Sequence, residues 1–125
     1  MNNEELVETL QQLCLMPGET EWLEFKEAKT SYDFNKLGQY FSALSNEANL
    51  KGKPYGWLVF GIEDKHKSIV GTAYRNSKNA LEALKLEIAN RTINRITFIE
   101  IYELRLPKGR VIMFQIPAAP MGIPT

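Results

Sequence analysis

A chain of 125 residues, 44% apolar and 24% charged, fits one globular domain, burying roughly two-thirds of the surface that the unfolded chain would expose. Its single cysteine, Cys14, excludes an intrachain disulfide, and its longest apolar run, Trp57 to Ile62, is far too short to span a bilayer. The net charge of zero conceals a split, because residues 1–50 carry nine acids and three bases while the rest carries six acids and twelve bases. That split allows a basic face for a polyanion beside an acidic cluster, and head-to-tail self-association would use it equally well.

The opening Met1-Asn2-Asn3-Glu4-Glu5 lacks the basic and apolar regions of a secretion signal, so a cytoplasmic location is expected by elimination. Residues 3–15 read as a helix capped by Asn2 or Asn3, with Leu6, Leu10 and Leu13 at helical spacing and Cys14 as a small core residue. Pro17-Gly18 stops it. A strand over 22–27 follows, in which Leu23 and Phe25 alternate with Glu24 and Lys26, so the two charges share a face. Asp33 caps a second helix predicted to run to about Asn46, with Leu37, Tyr40, Phe41 and Leu44 as its apolar stripe. Gly38 costs that helix about 1 kcal/mol relative to alanine, which predicts a close backbone approach there.

Residues 49–56 carry turn chemistry and read as a loop. Trp57 to Ile62 is apolar on both faces, as a central strand covered from both sides would be. A polar turn over 63–68 leads to a short strand over 69–71. Asn76 or Ser77 caps a third helix predicted to reach about Asn94, with Leu81, Leu84, Ile88 and Ile93 in the core. A hairpin of Phe98–Leu106 and Val111–Ile116 turns over Pro107-Lys108-Gly109. The tail, 117–125, holds three prolines and no charge, which suggests that a longer chain continues beyond it. Together these elements predict a single α+β domain, a mixed β-sheet of about five strands packed with three helices in two or three layers.

Glu24 and Lys26, with Glu19 and Glu21 just upstream, admit two readings: scattered charge at a sheet edge, or acids that hold a divalent cation against a phosphodiester. Asp64 lies just past the buried strand, a position that delivers polar groups to a sheet edge, though a turn-forming aspartate would sit there too. If the two strands are neighbours, Glu19, Glu24 and Asp64 converge, and three carboxylates so placed require a cation such as Mg²⁺ or Mn²⁺; Lys26 would then stabilise charge on the phosphate. His66 is the only histidine, which argues against zinc. No G-x-x-x-x-G-K-[ST] occurs, which argues against ATP. Trp22, Tyr55 and Tyr74 near Lys51, Lys53, Lys65, Lys67 and Arg75 would clamp a nucleic-acid strand, or else pack and solubilise.

The order of parts resembles the Schlafen/AlbA-like domain, a DNA-binding module at the front of many bacterial transcriptional regulators. The family shows a glutamate-rich turn, a strand ending in Glu-Phe-Lys, a helix ending in Ala-Phe-Ala-Asn, a glycine-started strand leading to Gly-Val-x-Asp, and a return to Ile-x-Gly. Here these are Glu19 to Lys26 with Glu24-Phe25-Lys26 intact, Phe41 to Asn46, Gly56 to Asp64, and Ile69-Val70-Gly71, within a resemblance covering roughly residues 15–120. It implies a nucleic-acid partner, DNA or RNA, bound by Lys51, Lys53, Lys65, Lys67 and Arg75. In animal Schlafen proteins the positions of Glu19, Glu24 and Asp64 form a metal-dependent nuclease site, which implies an endoribonuclease as the alternative. Two departures stand out. The family's Asn-Thr-x-Gly-Gly is replaced by the longer Asn46 to Gly56, and the duplicated domain of the animal nuclease is present once, so a homodimer would be needed for a comparable groove. Bacterial members have also been described as divergent ATP-binding proteins, a reading the missing P-loop opposes.

Overall fold

The computed structural model describes residues 1–17, 20–92 and 95–119. The first helix, α1 (Asn3–Cys14), opens on a reciprocal cap: Glu5 N–H donates to Asn2 Oδ1 at 2.8 Å and Asn2 N–H donates to Glu5 Oε1 at 3.0 Å. It buries Leu6, Leu10 and Leu13, while Cys14 lies at the margin, its thiol pushed up by burial. Strand β1 (Leu23–Lys26) leads to α2 (Phe34–Leu50), whose N-cap Asp33 accepts from Asn35 N–H at 3.1 Å. Then come β2 (Tyr55–Phe60), the short strands β3 (Ile62–Glu63) and β4 (Ser68–Ile69), and α3 (Lys78–Ala89), capped by Ser77. The hairpin β5 (Glu100–Leu106) and β6 (Gly109–Pro117) completes the described elements.

The fold is α+β, with a mixed four-stranded sheet ordered β1-β2-β6-β5 and a separate two-stranded ribbon, β3-β4. β1 runs parallel to β2 with Lys26 opposite Phe60, while β6 is antiparallel to both β2 and β5. The sheet is covered on both faces. Leu58, Phe60, Ile112 and Phe114 pack with Leu37 and Phe41 of α2 and Leu84 and Ile88 of α3. Trp57, Val59, Val111 and Met113 alternate with them and pack with Leu6, Leu10 and Leu13 of α1. Phe60 centres the first layer, its ring 4.8 Å from Tyr32, 5.3 Å from Tyr74 and 4.9 Å from Phe114.

Three expectations need correction. α2 continues to Leu50 rather than stopping near Asn46, because fully buried Ala48 holds the extra turn against the core. α3 ends at Ala89, with Asn90 as its cap; Ile93 and Asn94 lie outside the described residues. The expected α+β architecture with three helices and a mixed sheet is present, its strands divided between a sheet of four and a ribbon of two because Gly61 (φ 97°) bends the chain out of β2 before Ile62. Gly38 makes no close approach, since a Cβ built there would meet no heavy atom within 4 Å.

The close approaches fall elsewhere. A Cβ on Gly61 would lie 2.6 Å from the Arg110 carbonyl oxygen, and one on Gly109 would lie 2.7 Å from the Gly71 Cα. Three glycines thus let the ends of β2, β4 and the β5–β6 turn meet backbone to backbone. Arg110 fastens the same corner. Its buried guanidinium donates to the carbonyls of Thr72 (3.3 Å), Tyr74 (2.6 Å) and Arg75 (2.9 Å) and to Glu103 Oε2 (2.5 Å). Burial pushes the Glu103 carboxyl up, but the hydrogen bond and charge of Arg110 outweigh it and hold the group below the usual carboxylate range.

Two stability tests follow from this corner and from α2. Gly38→Ala is expected to raise the urea midpoint by up to about 1 kcal/mol of stability, whereas Gly61→Ala lowers it by about 2 kcal/mol or more. Because Glu103 is depressed in the fold, its contribution is present above the unfolded pKa of about 4.3 and lost as pH falls through the lower folded value. Glu103→Gln therefore costs about 2 kcal/mol at pH 7, and its deficit against the parent shrinks on acidification towards about pH 3, measured by urea unfolding at each pH.

Candidate nucleic-acid interface

The alternation in β1 sends Leu23 and Phe25 to the α1 side of the sheet and Glu24 and Lys26 to the α2 side. Lys26 Nζ lies 3.4 Å from Glu24 Oε1 and 4.9 Å from the centre of the Tyr40 ring. The hydrogen bond with Tyr40 is the chief reason that Lys26 is held above the usual lysine range, with Glu24 assisting and burial opposing. Tyr32 stands at the same groove, its hydroxyl pushed up by burial.

Asp64 has a separate neighbourhood. Its side chain is 69% exposed and accepts from Lys67 Nζ at 2.8 Å, and the same ammonium donates to the Asp64 carbonyl. Lys67 Nζ sits 4.9 Å over the Phe25 ring, which belongs to the α1 side. Glu24 and Asp64 are each matched with a lysine. Glu19, the third predicted acid, lies outside the described residues. Among the described residues no three of His, Cys, Asp and Glu are grouped to hold a metal ion.

The five predicted phosphate-binding cations fall into three places. Lys51 and Lys53 follow α2 and lie near the start of β1, where Lys51 Nζ is 3.3 Å from Glu21 Oε2 and Lys53 Nζ is 5.4 Å from the centre of the Trp22 ring. The hydrogen bond between Glu21 and Glu47 lowers Glu21, which Lys51 lowers further, and raises Glu47. Lys65 and Lys67 occupy the β3–β4 turn beyond the other end of β2, so the two lysine pairs are separated by roughly 20 Å of strand. In that turn Glu63 accepts from the backbone N–H groups of Lys65 (3.1 Å) and His66 (2.8 Å), and the latter bond chiefly depresses its carboxyl. Arg75 is engaged: it grips Glu87 through two bonds of 2.5 and 2.9 Å and donates to the Ala80 carbonyl at 2.9 Å. A phosphate contact by Arg75 would require it to release Glu87.

Sequence reasoning did not single out the basic and aromatic groups around α2. Lys36 joins Lys26, Tyr32 and Tyr40 around a groove of ≈ 330 Å³, and Arg91 lies over the Phe34 ring at 5.0 Å. The i, i+4 pairs Lys36/Tyr40 and Phe34/Gly38 were the available signal, visible only once α2's solvent face was known.

A model of the Schlafen AlbA_2 domain matches residues 19–123. No curated protein matches the chain. Among solved structures, the DIP2311 protein from Corynebacterium diphtheriae aligns over 93% of this chain at 20% identity with a TM-score of 0.51, and this chain spans 22% of that protein's length. The N-terminal domain of a RecG-related protein from Nitrosomonas europaea, named for ATP-dependent DNA helicases, aligns over 94% of this chain and 82% of its own, at 16% identity and a TM-score of 0.52. At these identities the two structures speak to the fold alone. No described helix is long and apolar enough to cross a membrane.

Removing the Tyr40 hydroxyl tests the coupling at β1. Tyr40→Phe is expected to lower the pKa of Lys26 while leaving the fold intact, read from an NMR titration of the Lys26 side chain; an unmoved titration would mean that Glu24 alone sustains it.

Proposed function

The chain belongs to the Schlafen AlbA_2 family, and on that premise we propose that it is a nucleic-acid-binding module, the DNA-binding N-terminal domain of a bacterial transcriptional regulator. The observation that carries the reading is the placement of lysines over aromatic rings along one strand pair: exposed Lys53 over half-buried Trp22 at one end, and Lys67, half-buried and held by Asp64, over the outer side of buried Phe25 at the other. The lysines hold a phosphate backbone by charge, and half-buried Trp22 keeps ring surface on which a base can stack. Lys51 and Lys65 extend the two ends, and Arg75 joins them once Glu87 lets go.

The rival reading is an endoribonuclease dependent on Mg²⁺ or Mn²⁺. What favours it is the parallel pairing of β1 with β2, which sends Glu24 and Lys26 towards the same end of the sheet as the run leading to Asp64. Glu19 would have to supply the third acid. Incubation with structured RNA and Mn²⁺, beside a Glu24→Ala control, separates the readings: cleavage by the parent alone establishes the enzyme, and cleavage by neither leaves the binding module.

Salt dependence tests binding directly. If four of the lysines meet phosphates, log Kobs for duplex DNA falls with log salt at a slope of about −3.6, a roughly hundredfold weakening between 50 and 200 mM. Lys53→Ala and Lys65→Ala each reduce that slope by about one, measured by fluorescence anisotropy. A binding constant that is flat over this range overturns the proposal.

A further inference from the structure

We propose that the groove between α2 and the end of α3 seats one unpaired base of a bound single strand, with the flanking phosphates held by Arg91 on one side of α2 and by Lys26 and Lys36 on the other. This deepens the nucleic-acid-binding reading and rests on it. The groove encloses ≈ 660 Å³, within the range of small-molecule sites, and its floor includes buried Phe41 and Ile88. Arg91 is the only charged residue among the described residues lining it, so the site is complementary to an anion.

Gly38 opens the groove. It sits well inside α2, where glycine is unfavourable, and no atom lies close enough for packing to require it. The missing side chain instead leaves a gap between Phe34 and Ser42, one turn away on either side. At the mouth, the exposed Arg91 guanidinium lies over Phe34 and reaches Asn35 Oδ1 at 3.5 Å. A planar cation laid on an aromatic face is a stacking platform for a base, and the amides of Asn35 and Gln39 offer both donors and acceptors to its edge.

Gln39 and Ala43 also line the adjoining groove, with Lys26, Tyr32, Lys36 and Tyr40. That second groove holds two cations, two aromatic rings and no lining acid. The two grooves flank the exposed face of α2, and a strand crossing at Gln39 passes from the base seat to a second cationic, aromatic surface. A duplex keeps its bases stacked inside and would engage only the cations.

Nucleotide titrations of the ¹⁵N-labelled chain, followed by NMR, test the seat without polymer electrostatics. AMP and UMP are expected to shift the Gly38 and Ser42 amides as well as Arg91, whereas inorganic phosphate at equal ionic strength is expected to move Arg91 alone. Equal shifts with phosphate would reduce the groove to an anion contact, and no shifts with either nucleotide would mean that it takes another partner, such as a protein side chain; both overturn the proposal. Gly38→Leu, which fills the gap and removes no cation, is expected to weaken binding of a single-stranded oligonucleotide about tenfold, within the cost of losing one stacked base, while leaving duplex affinity unchanged. Gly38→Ala, whose methyl meets no atom, gives a smaller loss in the same direction and serves if leucine disturbs the fold. If the parent binds duplex and single strand but Gly38→Leu binds both as the parent does, only the base seat fails. If the parent binds neither, the nucleic-acid reading itself has failed.

Discussion

A parallel strand pair cannot be closed by a turn, and that constraint arranges this domain. To bring β2 alongside β1 in the same direction, the chain must leave one end of the sheet and return to the other, and α2 makes that journey. The crossover packs α2 on the face to which Glu24 and Lys26 point, so both charges are half-buried and Lys26 meets Tyr40 as well as Glu24. It also leaves β2 buried on both sides once α1 closes the opposite face. The grooves beside α2 are products of the same return path, bounded by β1 on one flank and α3 on the other.

The corner where the glycines meet obeys a different rule. Where Gly61, Gly71 and Gly109 bring three backbone segments together, no side chain fits between them, and the carbonyls there lose access to water. Arg110 meets that demand for three carbonyls at once and returns its charge to Glu103. A buried guanidinium is costly unless every donor is occupied, so the loop 72–75 and the β5–β6 hairpin are held in one relative position. Arg75 extends the brace from that loop to α3 through Glu87, which explains why a residue that reads as a surface cation is occupied within the fold.

Much of the architecture was legible in the residues because periodicity reports burial. Leu23 and Phe25 marked β1, the unbroken run to Ile62 marked a strand covered on both sides, and Leu81, Leu84 and Ile88 marked α3. The end of α2 was less legible: Asn46 and Asn49 look like loop formers, and only the packing of Ala48 outweighs them. Gly38 and Gly61 look alike in a sequence, yet one faces open space and the other touches backbone, a distinction that only tertiary contacts make. Arg110 carried no signal, since an arginine next to a turn ordinarily faces water. For the candidate site, the patterns marked the two strands but left their pairing open, and the lysine that each acid engages depended on which side of the sheet the β3–β4 turn folds towards.

The placement of β6 bears on how the domain comes to be. In chain order β6 follows every other described strand, yet in the sheet it lies between β2 and β5. As the chain leaves the ribosome, β2 can acquire β1 early, but its other edge stays unsatisfied until more than fifty residues later, when the segment from Gly109 to Pro117 emerges. During that interval an apolar strand edge is open to any extended neighbour, and slow synthesis or crowding lengthens or intensifies that exposure. Closure then comes as a single late event: β6 joins both neighbours, Arg110 reaches its carbonyls, and Ser45 of α2 donates to the Pro117 carbonyl at 2.7 Å.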